Sequence, residues 1–241
     1  MAKVPNRLVA ICAAAFGLSL AAATGASAAT LIDFTDRPIW QGSGVGATSF
    51  HDYGDFTVTL FPNRARSLNF NQNFDGGSVS YCGGSPLACD SDGLGLVDDE
   101  ITTFSTTPKE YVEVVFSEAV KITDLYFLDL FKAKYTADLE RAKVEVNGAG
   151  APYSFDAVSV FQQNGGFLHS IVSFDNVTKL KFWAGTSNDG KGYPDFALGG
   201  ITVSPVPIPA ALPLFASGLG LMGWFARRKK RMAAAEASAV A

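Results

Sequence analysis

The sequence predicts an all-β fold: a single antiparallel β-sandwich, jelly-roll-like, flanked by an N-terminal signal peptide and a C-terminal transmembrane helix. Three observations predict it. Between Thr30 and Val203, short β-branched and aromatic runs alternate with clusters of Gly, Asn, Asp, Ser and Pro. No helical period of useful length interrupts them. Each end of the chain carries an uncharged apolar segment next to basic residues.

The N-terminal segment comes first. Lys3 and Arg7 precede an apolar stretch from Leu8 to Ala23, and Ala26-Ser27-Ala28 follows as the small-residue site a signal peptidase accepts. Cleavage is expected after Ala28, which makes 1–28 a signal peptide and removes Cys12 with it. The stretch is short for a membrane span, so a retained helix is the weaker reading.

The cargo domain is expected over 29–204, long enough to bury a substantial core. Phe56 to Phe61 alternates strictly, and Val112, Val114 and Phe116 mark one core face of a further strand. Ile122 to Phe131 is apolar on both faces apart from Asp124 and Asp129, which is the pattern of a central strand. Lys143 to Val146 leads into Asn147-Gly148, a strong hairpin signal. Ile171 to Phe174, Leu180 to Trp183 and Phe196 to Val203 supply the remaining clear strands, about ten in all. Lys132 to Arg141 is the one place where a turn or two of helix is expected. Many short strands without helices imply two packed antiparallel sheets.

At the C-terminus, 208–225 is uncharged and mostly apolar, near the lower limit of ~17 residues for crossing a bilayer as a helix. Pro207, Pro209 and Pro213 delay a regular helix to about Leu214. The cluster Arg227, Arg228, Lys229, Lys230 and Arg231 follows, which keeps this end cytoplasmic, and Trp224 sits at the boundary where an indole favours the interface. Residues 232–241 are expected to be a disordered tail.

This tripartite end, 205–231, resembles the PEP-CTERM sorting signal in its Val-Pro-Leu-Pro-Ala variant. The matching residues are Val206, Pro207, Ile208, Pro209 and Ala210, then the apolar span, then the basic stop. The resemblance implies a membrane-embedded cysteine protease, an exosortase, as partner. It also implies a Gram-negative bacterium that makes exopolysaccharide, and cargo tethered in the inner membrane before passing to the cell surface or matrix. The Gly-Leu-Gly stretch, the acids after it and Phe127 to Phe131 extend the likeness, less specifically, into the cargo domain. One departure is that the chain continues past the basic cluster to Ala241. A plain, uncleaved stop-transfer anchor is the alternative. Pro207 and Pro209 argue against it, because they hold the backbone in the extended shape a protease reads.

Charge narrows the function classes. The chain has 19 basic and 23 acidic residues; without the signal and tail, 12 basic and 22 acidic remain, about −10. A surface of that sign excludes nucleic acid as a default partner and favours solubility and cation binding. Cys82 and Cys89 lie in a Gly- and Ser-rich loop and are expected to form a disulfide in an oxidising envelope.

The densest acidic element runs from Asp90 to Glu100. Crowded carboxylates on a Gly-rich loop repel unless solvated or bridged by a hard cation, and calcium takes several such oxygens at once. The register fails the EF-hand template, since Gly93 stands fourth from Asp90 where that loop needs it sixth. By analogy with calcium-binding jelly rolls, Asp98, Asp99, Glu100 and Asp195 are the candidate set for a structural calcium, with Asp33 a further possibility. A solvated acidic loop is the plainer alternative.

No catalytic residue is singled out. His51 and His169 stand in no nucleophile elbow or zinc motif, and the protein is not expected to be an enzyme. Trp40, Tyr53, Tyr81, Trp183 and Tyr193 lie in or near loop-rich stretches and are candidates for stacking on sugar rings. The expected function is a structural or binding component of the surface or exopolysaccharide matrix. The alternatives are a calcium-dependent carbohydrate-binding module and, third, a secreted hydrolase.

Overall fold

The computed structural model describes residues 28–40, 47–63, 66–70, 85–97, 100–104, 110–160, 163–190 and 192–206, with Phe215, Leu219, Gly220, Met222 and Gly223. Among these residues twelve strands follow in order: β1 (Thr30–Asp33), β2 (Ser49–Asp52), β3 (Thr57–Pro62), β4 (Leu68–Asn69), β5 (Gly95–Leu96), β6 (Val112–Leu128), β7 (Phe131–Lys132), β8 (Arg141–Val146), β9 (Ala149–Asp156), β10 (Ser159–Val160), β11 (Leu168–Ala184) and β12 (Ala197–Pro205).

Strands β6 and β11, 17 residues each, pair antiparallel from Val112 opposite Phe182 to Phe127 opposite Leu168. Every other strand of the large sheet adds to this pair, in the order β1-β12-β6-β11-β8-β9, with β2 joined through β3 to β6. All these pairings are antiparallel. The two short sheets are β4 with β5, and β7 with β10 in parallel.

The same edge of β6 serves two partners in succession. β3 pairs along Val112–Phe116 and β12 along Val120–Leu128. Between them Ser117 and Glu118 are exposed, and opposite them β11 slips register three times between Ile171 and Lys179. Such bulges bend and twist a strand locally. The halves on either side of this irregularity both contribute to one buried cluster: Val58, Leu60, Val114, Val144 and Phe182 from one, Ile32, Leu125, Phe127, Ile201 and Val203 from the other. The result is an all-β, sandwich-like fold.

Alternation explains which side of each strand is buried. In β3, Val58 and Leu60 are fully enclosed; in β8, Ala142 and Val144 are. The hairpin expected at Asn147-Gly148 joins β8 to β9, with φ of 54° and 70°, the positive pair a type I′ turn requires. Asn147 does a second job. Its side-chain oxygen accepts from the N–H groups of Thr178 (2.9 Å) and Lys179 (3.1 Å), and its amide donates to the Asn176 carbonyl at 2.9 Å. One exposed side chain thus holds the bulge in β11, where Asn176 takes φ of 55°.

Three expectations need correcting. The strands expected separately at Val112–Phe116 and Ile122–Phe131 are largely one strand, as are those at Ile171–Phe174 and Leu180–Trp183; the exposed break in alternation made each look like two. The helical turn expected over Lys132–Arg141 does not form. Lys132 bridges Leu139 and the Ala133 N–H bonds to the Asp138 carbonyl at 2.8 Å, so the chain makes a short loop between β7 and β8. Trp40 is core: it is 1% exposed, stacks on Phe70 at 5.9 Å and donates to the Asp33 carbonyl at 2.6 Å.

Cα proximity divides the chain into Ser27–Pro207 and a second unit of the two ends, Met1–Ala26 with Ile208–Ala241. In the second unit the five described residues are helical, and Phe215, Leu219 and Met222 are exposed. The rest of the transmembrane helix expected over 208–225 lies outside the described residues, as does the basic stop at 227–231. Among the described residues no helix is long and apolar enough to cross a membrane.

Replacing Asn147 with Gly keeps the turn geometry and removes only the clasp on β11. Chemical denaturation is expected to show a loss of about 1 kcal/mol, the scale of a partly exposed hydrogen-bonded group. No loss would mean that the bulge is held by its neighbours.

Candidate functional site

The acidic loop is built against the start of β12. Leu94 and Leu198 exchange both backbone hydrogen bonds at 2.9 Å, the Ile101 N–H bonds to the Phe196 carbonyl at 2.8 Å, and the Thr103 N–H to that of Pro194 at 2.9 Å. Gly93 is required for this approach. Its φ is +104°, and a Cβ there would stand 2.5 Å from the Leu198 carbonyl oxygen. The Leu96 N–H bonds to the Glu100 carbonyl at 2.9 Å, closing the turn through Val97 at φ 60°.

This pairing delivers Glu100 to Asp195, and the two side chains hydrogen-bond. Asp195 also hydrogen-bonds to Glu140, which enters from the residue before β8. Glu140 is anchored from both ends: its N–H donates to the Phe131 carbonyl at 2.9 Å, and its Oε2 accepts from the Phe131 N–H at 2.7 Å. Asp189, 4% exposed, adds its negative charge to both. Four carboxyl groups from four segments therefore share one largely buried place.

Burial raises the cost of charge there, and the neighbouring acids raise it further. Burial pushes the Glu140 carboxyl up to about 8, assisted by Asp189 and Glu100. Asp195 is likewise pushed up to about 8, first by burial, then by the charge and hydrogen bond of Glu140. The pair titrates as a unit, and at neutral pH it holds protons that its members would lose in water. A protonated carboxyl donates to its neighbour's carboxylate, so the proton supplies the attraction that two like charges lack.

Of the four acids expected to hold calcium, Glu100 and Asp195 come together, while Asp98 and Asp99 lie outside the described residues. Glu140 and Asp189 were missed. For Glu140 the signal was present, since extending the alternation of Ala142 and Val144 back one step puts position 140 on the core face. Asp189 sits in an Asn-Asp-Gly stretch that reads as a solvated turn. Among the described residues no group of three or more His, Cys, Asp or Glu side chains is placed to hold a metal ion.

Asp33, the further calcium possibility, has another task. Its Oδ1 accepts from the Thr35 N–H (2.8 Å) and hydroxyl (2.6 Å), and its Oδ2 from the Ala88 N–H at 2.6 Å. Thr35 Oγ1 in turn accepts from the Cys89 N–H at 2.8 Å. The end of β1 thus clasps the segment carrying Cys89, which is disulfide-bonded; Cys82 lies outside the described residues.

The histidines are engaged in packing. His169 Nε2 lies 2.8 Å from Asp124 Oδ1 and its ring stacks on Tyr126 at 4.7 Å. His51 packs edge-on to Tyr53 at 4.7 Å. Among the aromatics proposed for sugar stacking, Tyr53 is half-buried against Phe56, and burial pushes its hydroxyl pKa up. Tyr193 is half-exposed, edge-on to Phe104; Tyr81 lies outside the described residues. Trp183 is half-buried on the outer face of the sheet, where it lines a cleft. No protein-family model matches this chain, and no curated protein matches it.

The acid pair sets a pH dependence whose sign follows from the raised pKa values. Between about 4 and about 8 the folded state holds protons that the unfolded chain has released, so stability is greatest below that window and falls as pH rises through it. Each unit costs about 1.4 kcal/mol per proton held, and Glu140→Gln is expected to flatten the fall. Thermal midpoints in chelator across pH 4 to 9 check this. A midpoint that climbs over that window, or one raised by calcium at pH 8 in the parent but not in Glu140→Gln, would return these acids to a cation role.

Proposed function

We infer that this protein is an exported sandwich, jelly-roll-like in its strand connections. It is delivered by an exosortase-like sorting step to the cell surface or extracellular matrix of a Gram-negative bacterium. There it acts as a structural or binding component of exopolysaccharide. One observation carries the reading: the order Val206-Pro207-Ile208-Pro209-Ala210, then the uncharged 208–225, then Arg227 to Arg231. A helix of 208–225 would span the bilayer during sorting and the basic residues would stop transfer.

The end of the sheet, the charge and the cysteines support it. The last strand of the large sheet ends at Pro205, and Val206 is exposed. The sorting motif therefore begins where the compact unit Ser27–Pro207 ends, so cutting there removes no strand of the sheet. The net charge of about −10 on the exported portion suits a soluble cargo that repels nucleic acid. Cys89 is disulfide-bonded, and pairing with Cys82 would suit an oxidising compartment.

Intact-mass measurement on protein recovered from cells and medium tests the reading. The mature species is expected to begin near Ala29, to end between Val206 and Ala210, and to be two hydrogens lighter than its reduced form. Replacing Pro207 and Pro209 with Ala is expected to leave the full tail in the membrane fraction. A surface species that keeps Arg227 to Ala241 would overturn exosortase processing.

A further inference from the structure

We propose that the outer face of the sheet around Trp183 binds a neutral polysaccharide chain, seating one sugar ring in the cleft bounded by Tyr111, Glu145, Lys181 and Trp183. The cleft has a volume of about 180 Å³, and the buried Glu110 completes its lining. Strand register builds it. Phe182 is buried opposite Val112 on one side and Val144 on the other, so its neighbours Lys181 and Trp183 must face away from the core. Lys181 then stands between Glu113 and Glu145, and Trp183 stands opposite Lys143.

Most charged side chains on this face already have partners. Arg66 Nε lies 2.8 Å from Glu110 Oε1, and the Thr102 N–H donates to Glu110 Oε2 at 3.0 Å. Lys179 reaches Glu113 at 3.4 Å, Arg141 pairs with Asp156, and Lys143 donates to Ser154. Lys181 Nζ sits 3.9 Å from the centre of the Tyr111 ring, a cation–π contact that holds both side chains in place. At the cleft itself Glu110 is balanced by Arg66, and Glu145 stands opposite Lys181, so the lining carries no net charge to draw in an anion or a cation. What remains is a half-exposed indole on a mostly apolar wall, with the Glu145 carboxylate as acceptor and the ammonium of Lys181 as donor at its rim. Apolar C–H faces ringed by hydroxyls are the surface of a neutral sugar.

Size selects a chain over a free small molecule. Pockets that enclose drug-sized ligands run from ~300 to 1,000 Å³, whereas this one admits about one ring and opens onto the sheet. The row of opposed residues Phe61, Glu113, Lys181 and Glu145 continues the face across four strands, and Phe61 is 38% exposed. Neighbouring rings of a polymer would add contacts along it.

The proposal rests on the matrix reading only for the source of the polymer. Its test uses the full chain in mild detergent, run by affinity electrophoresis through gels containing a soluble β-glucan, a galactomannan, a xylan or, as acidic comparison, alginate. Retardation by at least one neutral polymer and not by alginate is expected. Trp183→Ala should weaken it at least tenfold, and Glu145→Gln several-fold with an unchanged circular dichroism spectrum. If Trp183→Ala does not fold, Glu145→Gln decides. No retardation by the three neutral polymers, retention by alginate alone, or full binding by the variants overturns the site. The intact mass of Trp183→Ala recovered from cells separates the two readings, because normal tail removal with lost binding leaves sorting untouched.

Discussion

The antiparallel pairing of β6 with β11 is the constraint on which the other elements depend. It brings residues more than forty positions apart in the chain into register along two strands of 17 residues each, and it offers edges to β12, β3 and β8. Because the alternation of side chains has period two, the register of this one pair decides which face of each neighbour is apolar. The irregularity near Ser117 and Asn176 is equally necessary. It lets β6 present first β3 and then β12 along the same edge, with the inward residues of both halves meeting in one core.

The acidic loop illustrates how burial changes the chemistry of a residue type. In the sequence the run Asp90 to Glu100 is a local crowd of carboxylates. In the fold, Glu100 meets Asp195, with Glu140 and Asp189 close by. Two of these acids lie where charge is costly, so a proton stabilises the contact between groups that would otherwise repel. Asp33 shows the opposite solution: three donors satisfy its carboxylate, and it serves as a clasp for the chain around Cys89.

The outer face of the sheet carries a different balance. Its cations and carboxylates largely offset one another across strands, a pattern that contributes little stability for exposed pairs but weakens the long-range field a charged ligand would follow. Against the net negative charge of the chain, this aromatic patch is suited to an uncharged partner.

Strand content, the Asn147-Gly148 hairpin and the inward faces of β3 and β8 were legible in the residues, because alternation and turn chemistry are local. The reading of sorting drawn from the two ends rests on linear order alone. Folding decided the rest. That Val112–Phe116 and Ile122–Leu128 are one strand is invisible in a pattern broken by Ser117 and Glu118. Trp40 sits near turn residues yet packs in the core, since burial depends on what crosses above it. Glu140 and Asp195 lie 55 positions apart, and they meet only once the sheet has formed. Periodicity reports which way a side chain points from its own backbone; which distant group it meets is set by register and chain crossings, which no local window contains.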